Sequence, residues 1–298
     1  MKKLSLADPD LPRLIVTGHP NHELAILGLV QRLRPRLLFL TDGGSEERVE
    51  ESRRALAALG LLDRARFLAW TEESLYQALL AQDKAVFAEL VAQVRSEVQA
   101  YAPRQIFCES IELYNPLHDI TLPIVRATEG IDGIEIVEFP LIAQIPTPGE
   151  RYRVQRLPAG RRGVVRVELM AAELAAKLRA RADHYLCLRH QLGGVLDDIG
   201  DEHAAVECFV AARDELPLPR ARSRSPLRMA RPPASGAGGS RARDHLRRAL
   251  PADGRGAGGP VRGPCRFFTA DSVFRAWTGR RSGLISLMAL GRASSASM

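Results

Sequence analysis

An α/β fold with a mostly parallel sheet and helices on both faces is expected of residues 1–215, on two grounds. Apolar runs of strand length alternate with segments of helical period, and the residues able to carry chemistry follow the ends of those runs. Residues 14–17 read as the first strand. A helix over 23–33 follows, offering Leu24, Ile26, Leu27, Leu29 and Val30 for burial. Residues 36–41 make a second strand, followed by the turn Asp42-Gly43-Gly44 and a strongly helical 46–59 that Gly60 stops. A third strand over 66–70, a long helix over 83–102 ended by Pro103, and a fourth strand over 105–109 come next. Residues 118–127 read as helix and 134–139 as the fifth strand. A β excursion over 151–167 about the turn Pro158-Ala159-Gly160, a helix over 171–188 and a last helical stretch over 201–212 close the domain.

The 298 residues are 46% hydrophobic, ordinary for a globular protein. The net charge of +7 is unevenly placed. From Leu216 onward there are sixteen Arg, no Lys and three Asp, a net of +13, so the first 215 residues carry −6. An acidic main domain argues against a nucleic-acid partner. Residues 216–298, rich in Arg, Pro, Gly, Ala and Ser, cannot bury enough apolar surface to offset ordering. They are expected to form a disordered, low-complexity basic tail, and residues with GC-rich codons dominate it, as in a gene read in a shifted frame. No apolar stretch approaches the ~20 residues of a membrane span, and the first residues lack the apolar core of a secretion signal, so a cytoplasmic protein is expected. Cys108, Cys187, Cys208 and Cys265 form no C-x-x-C pair, which disfavours a structural zinc knot or a disulfide framework.

The chemistry concentrates at two strand exits. His19-Pro20-Asn21-His22-Glu23 follows the first strand and Asn115-Pro116-Leu117-His118 follows the fourth. Open parallel sheets bind ligands outside the carboxyl ends of their strands, so His19, His22 and His118 should meet at one edge, with Asp42 nearby. Three imidazoles suffice for a mononuclear zinc site that keeps one position open. Histidines three apart at a helix start are common without a metal, and the third histidine is what gives the pair weight. Glu23 and Asp119 are natural early-turn helix acids and Asp42 a natural turn residue, though each is also a candidate proton acceptor. His184, His190, His203 and His245 have no partner at ligand spacing. Trp70, Tyr101 and Tyr114 are candidates for a sugar pocket, although a single aromatic is more often core.

Val16-Thr17-Gly18-His19-Pro20-Asn21-His22-Glu23 resembles the A-H-P-D-D-E signature of the PIG-L/LmbE-like N-deacetylases, and Asn115-Pro116-Leu117-His118 resembles their H-P-D-H. Arg48-Val49-Glu50-Glu51, then Ala55 and Leu59-Gly60, is similar to the family's R-x-x-E…A…L-G helix; 169–185, with Lys177, resembles its closing helix. The resemblance covers about residues 12–190. It implies a Rossmann-like fold and a zinc-dependent hydrolase that deacetylates N-acetylglucosamine-containing compounds and related amides. His19 and His118 match two zinc ligands, and Arg48 matches an arginine that contacts sugar hydroxyls. Two proton-transfer positions depart from the pattern. Asn21 stands where the family has its general base and Asn115 where it has a histidine, while His22 replaces the aspartate ligand with another ligand-competent group.

The expected protein is therefore a zinc-dependent amide hydrolase acting on an N-acylated amino sugar or a sugar-bearing small molecule. Zinc sits on His19, His22 and His118, Arg48 and Asp42 bind substrate, Asn115 steadies the oxyanion, and Asn21 and Glu23 complete the catalytic positions. The alternative is a descendant that keeps the fold and binds a carbohydrate or a partner without turnover, which Asn21 and Asn115 favour. A nucleotide-dependent enzyme is disfavoured, because neither G-x-G-x-x-G nor G-x-x-x-x-G-K-[ST] follows a strand.

Overall fold

The structure, a computed structural model, describes residues 6, 8, 10–112, 115–128, 133–144, 153–157, 161–187 and 204–212. The tail expected over 216–298, the turn at 158–160 and Tyr114 lie outside the described residues, as do His190, His203 and His245.

Seven strands form one sheet in the order β3-β2-β1-β4-β5-β9-β8. Its parallel part is β1 (Arg13–Thr17), β2 (Arg36–Thr41), β3 (Ala65–Trp70), β4 (Gln105–Glu109) and β5 (Glu135–Phe139). β1 and β4 are buried along their whole length, which is why they read as continuous apolar runs rather than alternating ones. From β1 the chain builds outward through β2 to β3, then returns to place β4 on the other side of β1. The order reverses between β1 and β4, and such a switch point opens a crevice at the carboxyl ends of its strands.

Helices α1 (Leu27–Leu33) and α7 (Ala171–Asp183) pack on each other, as do α4 (Lys84–Tyr101) and α6 (Thr121–Ala127). Among the described residues α2 (Glu46–Ala58), α3 (Glu72–Ala81) and α5 (Pro116–Asp119) complete the α-helices. Ile15, Phe39, Phe107, Val137 and Phe209 from the sheet join Leu27, Leu29 and Leu56 in the core. Among the described residues no helix is long and apolar enough to cross a membrane.

Several elements differ from expectation, and the helix expected over 171–188 ends as α7 at Asp183. The helix expected over 23–33 begins as a 3₁₀ segment, His22–Ile26, before α1. The helix expected over 118–127 is broken into α5 and α6 at Ile120. α3 has no counterpart among the expected elements, although Thr71 is a regular N-cap whose hydroxyl accepts from Ser74 N. The helix expected over 201–212 is instead strand β9 (Val206–Ala211), antiparallel to both β5 and β8 (Val165–Glu168). Glu207, Cys208, Phe209 and Val210 are all buried, so the strand shows no alternation that would separate it from a helix. The β excursion is present as β7 (Arg153–Val154) and β8, but β7 pairs with β6 (Ile142–Gln144) rather than with β8.

β9 also explains where α1 starts. No local side chain caps that helix. Glu207 does so from across the sheet, its two carboxylate oxygens accepting from Gly28 N and Leu29 N at 2.8 Å each. Lys177 Nζ donates to Glu207 Oε1 and to Ala25 O, both at 2.8 Å. This buried pair fastens the late segment to the first βα unit. Removing one partner strands a buried charge, so Glu207→Ala is expected to destabilise the fold by about 3–5 kcal/mol, read as a fall in the urea midpoint.

Candidate metal centre

β1 delivers its chain into the crevice through Gly18. A Cβ there would stand 2.8 Å from Leu117 O and 3.2 Å from Glu109 Oε2, so a larger residue would separate the two strand exits. Asn21 then turns the chain in the left-handed region, at φ 78°, a conformation asparagine tolerates better than most. The turn brings His22 back beside His19. From β4, the Asn115 side chain caps α5, Oδ1 accepting from Leu117 N at 2.8 Å, and α5 carries His118.

The three imidazoles meet. Ring centroids are 4.9 Å apart for His19–His22, 5.1 Å for His19–His118 and 4.5 Å for His22–His118, and one ligand nitrogen from each lies within 4.8 Å of the others. A cation ~2.1 Å from each nitrogen requires separations under about 4.2 Å, so a small inward rotation is enough. All three residues are buried. Burial is the main cause holding His118 down to about 3, with His22 adding to it and Glu109 opposing. Burial also keeps His19 and His22 well below the ordinary histidine value. Neutral imidazoles with available lone pairs are the form a metal requires. His19 Nε2 is buried without a hydrogen-bond partner, a state that a cation would relieve. The donor set therefore fits a metal.

A carboxylate absent from the sequence-based candidates orients this set. Glu109, the last residue of β4, has Oε1 2.6 Å from His22 Nδ1 and 3.0 Å from Gly18 N, while Oε2 accepts from Thr121 Oγ1 at 3.0 Å. Carboxylate–imidazole contacts of this kind fix the tautomer and leave Nε2 for the metal. Burial pushes the Glu109 carboxyl up to about 7, against the pull of His118 and its hydrogen-bond donors. In the sequence Glu109 is only the polar end of an apolar strand.

The other expected site residues bind the framework. Asn21 Nδ2 donates to Glu51 Oε2 at 2.9 Å, its Oδ1 accepts from Ser52 Oγ at 3.0 Å, and its N–H donates to Ser52 Oγ at 2.8 Å. The side chain thus faces α2. Arg48 is buried and gives Nη1 to Gly43 O and Nη2 to Pro20 O, at 2.9 and 2.8 Å, bracing the two turns that flank His19. Asp42 Oδ1 accepts from Gly44 N at 2.9 Å and from Glu72 N at 2.8 Å. Glu23 is fully buried and accepts from Tyr185 Oη at 2.9 Å; burial raises its carboxyl, while the Ser52 and Tyr185 hydroxyls oppose that. Asp119 Oδ1 accepts from Glu112 N at 2.7 Å. Asn115 Oδ1 also accepts from Tyr76 Oη, at 3.0 Å. Trp70 Nε1 donates to Gln93, and Tyr101 lies under the Arg36 guanidinium.

No family model and no curated protein matches the chain. Solved structures with a similar fold include a deacetylase from the biosynthesis pathway of teicoplanin, at 14% identity and TM-score 0.48, covering 68% of this chain and 100% of that one. A zinc-inhibited form of teicoplanin deacetylase matches at 11% identity and TM-score 0.47, with coverage of 68% and 100%. A conserved protein of Thermus thermophilus matches at 19% identity and TM-score 0.42, covering 72% and 100%. These are likenesses of fold, and the chemistry of the centre rests on its own residues.

Two substitutions probe the framework. Asn21→Asp sets a carboxylate against Glu51, and the fold is expected to lose about 1–3 kcal/mol in chemical denaturation. Glu109→Gln keeps the shape but can donate to His22 Nδ1, favouring the wrong tautomer. Zinc affinity measured by chelator competition should fall about 10–100-fold.

Proposed function

We propose that this protein is a zinc-dependent amide hydrolase of the cytoplasm that removes an acetyl group from an N-acylated amino sugar or a sugar-bearing small molecule. The observation that carries this reading is the convergence of His19, His22 and His118, from two strand exits, at the switch point of the sheet. The likeness of both histidine segments to the A-H-P-D-D-E and H-P-D-H signatures supplies the reaction class. Zinc bound there supplies a Lewis acid for the acyl carbonyl and acidifies the attacking water.

The chain's own groups do the rest. Glu109 holds His22 in the ligand tautomer. Asn115 has its Oδ1 committed to Leu117 N and Tyr76 Oη, which leaves its amide N–H groups as the donors for a developing oxyanion. Arg48 and Asp42 hold the turns around the centre, and any contact they make with a sugar comes in addition to those bonds. The engagement of Asn21 with Glu51 and Ser52 favours a second reading, a carbohydrate-binding descendant without turnover. It differs from the first in keeping the metal and lacking hydrolysis.

Elemental analysis of the purified full chain is expected to find close to one zinc per molecule, falling at least tenfold in His19→Ala and His118→Ala. Full occupancy in both variants rules the centre out. Acetate release from N-acetylglucosamine by the zinc-loaded chain separates the hydrolase from the non-catalytic reading.

A further inference from the structure

Hydrolysis of an amide needs a group that moves a proton from water to the leaving nitrogen, and Asn21 cannot do so near neutral pH. The other carboxylates close to the centre are fully buried or hold the framework. Glu109 and Asp119 are fully buried and accept from Gly18, His22 and Thr121, and from Glu112 N respectively. Glu23 has Oε1 on Tyr185 and a second oxygen without a hydrogen-bond partner, but it is fully buried and has no path to solvent water. Asp42 Oδ1 is used by two backbone N–H groups.

Glu72 differs. It is the first residue of α3, and the start of that helix is fixed by Glu72 N donating to Asp42 Oδ1 and Ser74 N donating to Thr71 Oγ1, at 2.8 and 3.1 Å. Its Oε1 lies 4.0 Å from His19 Nε2, the buried nitrogen without a hydrogen-bond partner. Its Oε2 occupies room left by Gly44, where a Cβ would stand 2.7 Å away. The Glu72 side chain is 20% exposed beside a histidine that is 2% exposed, so it joins the centre to solvent. One turn along the same helix, Tyr76 bonds to Asn115 Oδ1. One face of α3 thus borders both strand exits.

Building on the hydrolase reading, we propose that Glu72 is the catalytic proton acceptor of this centre, replacing the group that position 21 no longer provides. The Glu72 carboxylate takes one proton from the attacking water as the water oxygen bonds to the acyl carbon. The C–N bond then breaks, and the same proton passes from Glu72 to the leaving nitrogen. One water is consumed, and a free amine and acetic acid are produced.

The test uses the full chain loaded with cobalt in place of zinc, azide as a probe of the open side, and the E72Q variant. Azide, followed by cobalt absorption, is expected to bind E72Q at least ~10-fold more tightly than wild type, because the neutral amide removes a nearby like charge. Glu73→Gln, on the exposed side of the helix, should leave azide binding unchanged. Turnover of N-acetylglucosamine by the zinc-loaded protein should fall about 10²–10⁴-fold in E72Q at equal metal content. Equal azide affinity in E72Q and wild type overturns the role of Glu72, as does undiminished turnover. Loss of metal from E72Q also overturns it, by making Glu72 a ligand. If wild type does not cleave N-acetylglucosamine, equal azide affinity still overturns the role of Glu72, and tighter binding by E72Q supports its place at the open side of the centre. A wild-type chain that takes up neither metal overturns the hydrolase reading itself.

Discussion

A single buried carboxylate ties together the pieces of chain that make the centre. Glu109 ends β4, receives the Gly18 N–H from the exit of β1, receives the Thr121 hydroxyl from α6, and meets His22 Nδ1. A buried anion is tolerated only when its lone pairs are filled, so each of these donors is required where it stands. The same bonds set the spacing of the two strand exits and the orientation of one imidazole. The requirement that Gly18 carry no side chain is the steric counterpart of this electrostatic constraint.

Around that anchor the framework is built largely from backbone carbonyls and N–H groups. Arg48 clamps the carbonyls of Pro20 and Gly43, so the turn after β1 and the turn after β2 move as one. Asp42 aligns the Asp42-Gly43-Gly44 turn with the first residue of α3. Asn21 is bound to Glu51 and Ser52 of α2, which pins the left-handed turn from which His22 emerges. Side chains that resemble substrate-facing groups in a one-dimensional motif thus hold the loops in place, and holding loops is what preorganises a ligand set.

Much of the fold was legible because buried parallel strands and amphipathic helices announce themselves locally. β2 and β4 fall over the residues expected, and α4 runs from the Asp83 cap to the left-handed Ala102 just before Pro103. The three histidines were legible for the same reason: His19 and His22 follow the readable strand β1 and His118 follows β4. β9 was not, since a strand buried on both faces and carrying a charged cap for a distant helix has no period of its own. α3 was missed although Thr71 offered a capping signal, and with it went Glu72 and Tyr76.

The sequence by itself determined the parallel core, the places where the chain leaves it, and the presence of three imidazoles at those places, because these depend on hydrophobic period and on residue type. Only the tertiary structure decided which polar groups serve which neighbour. The Glu109–His22 and Asn21–Glu51 contacts span 87 and 30 residues. No local pattern encodes such pairings, because the desolvation that makes them necessary exists only after the sheet has closed over them.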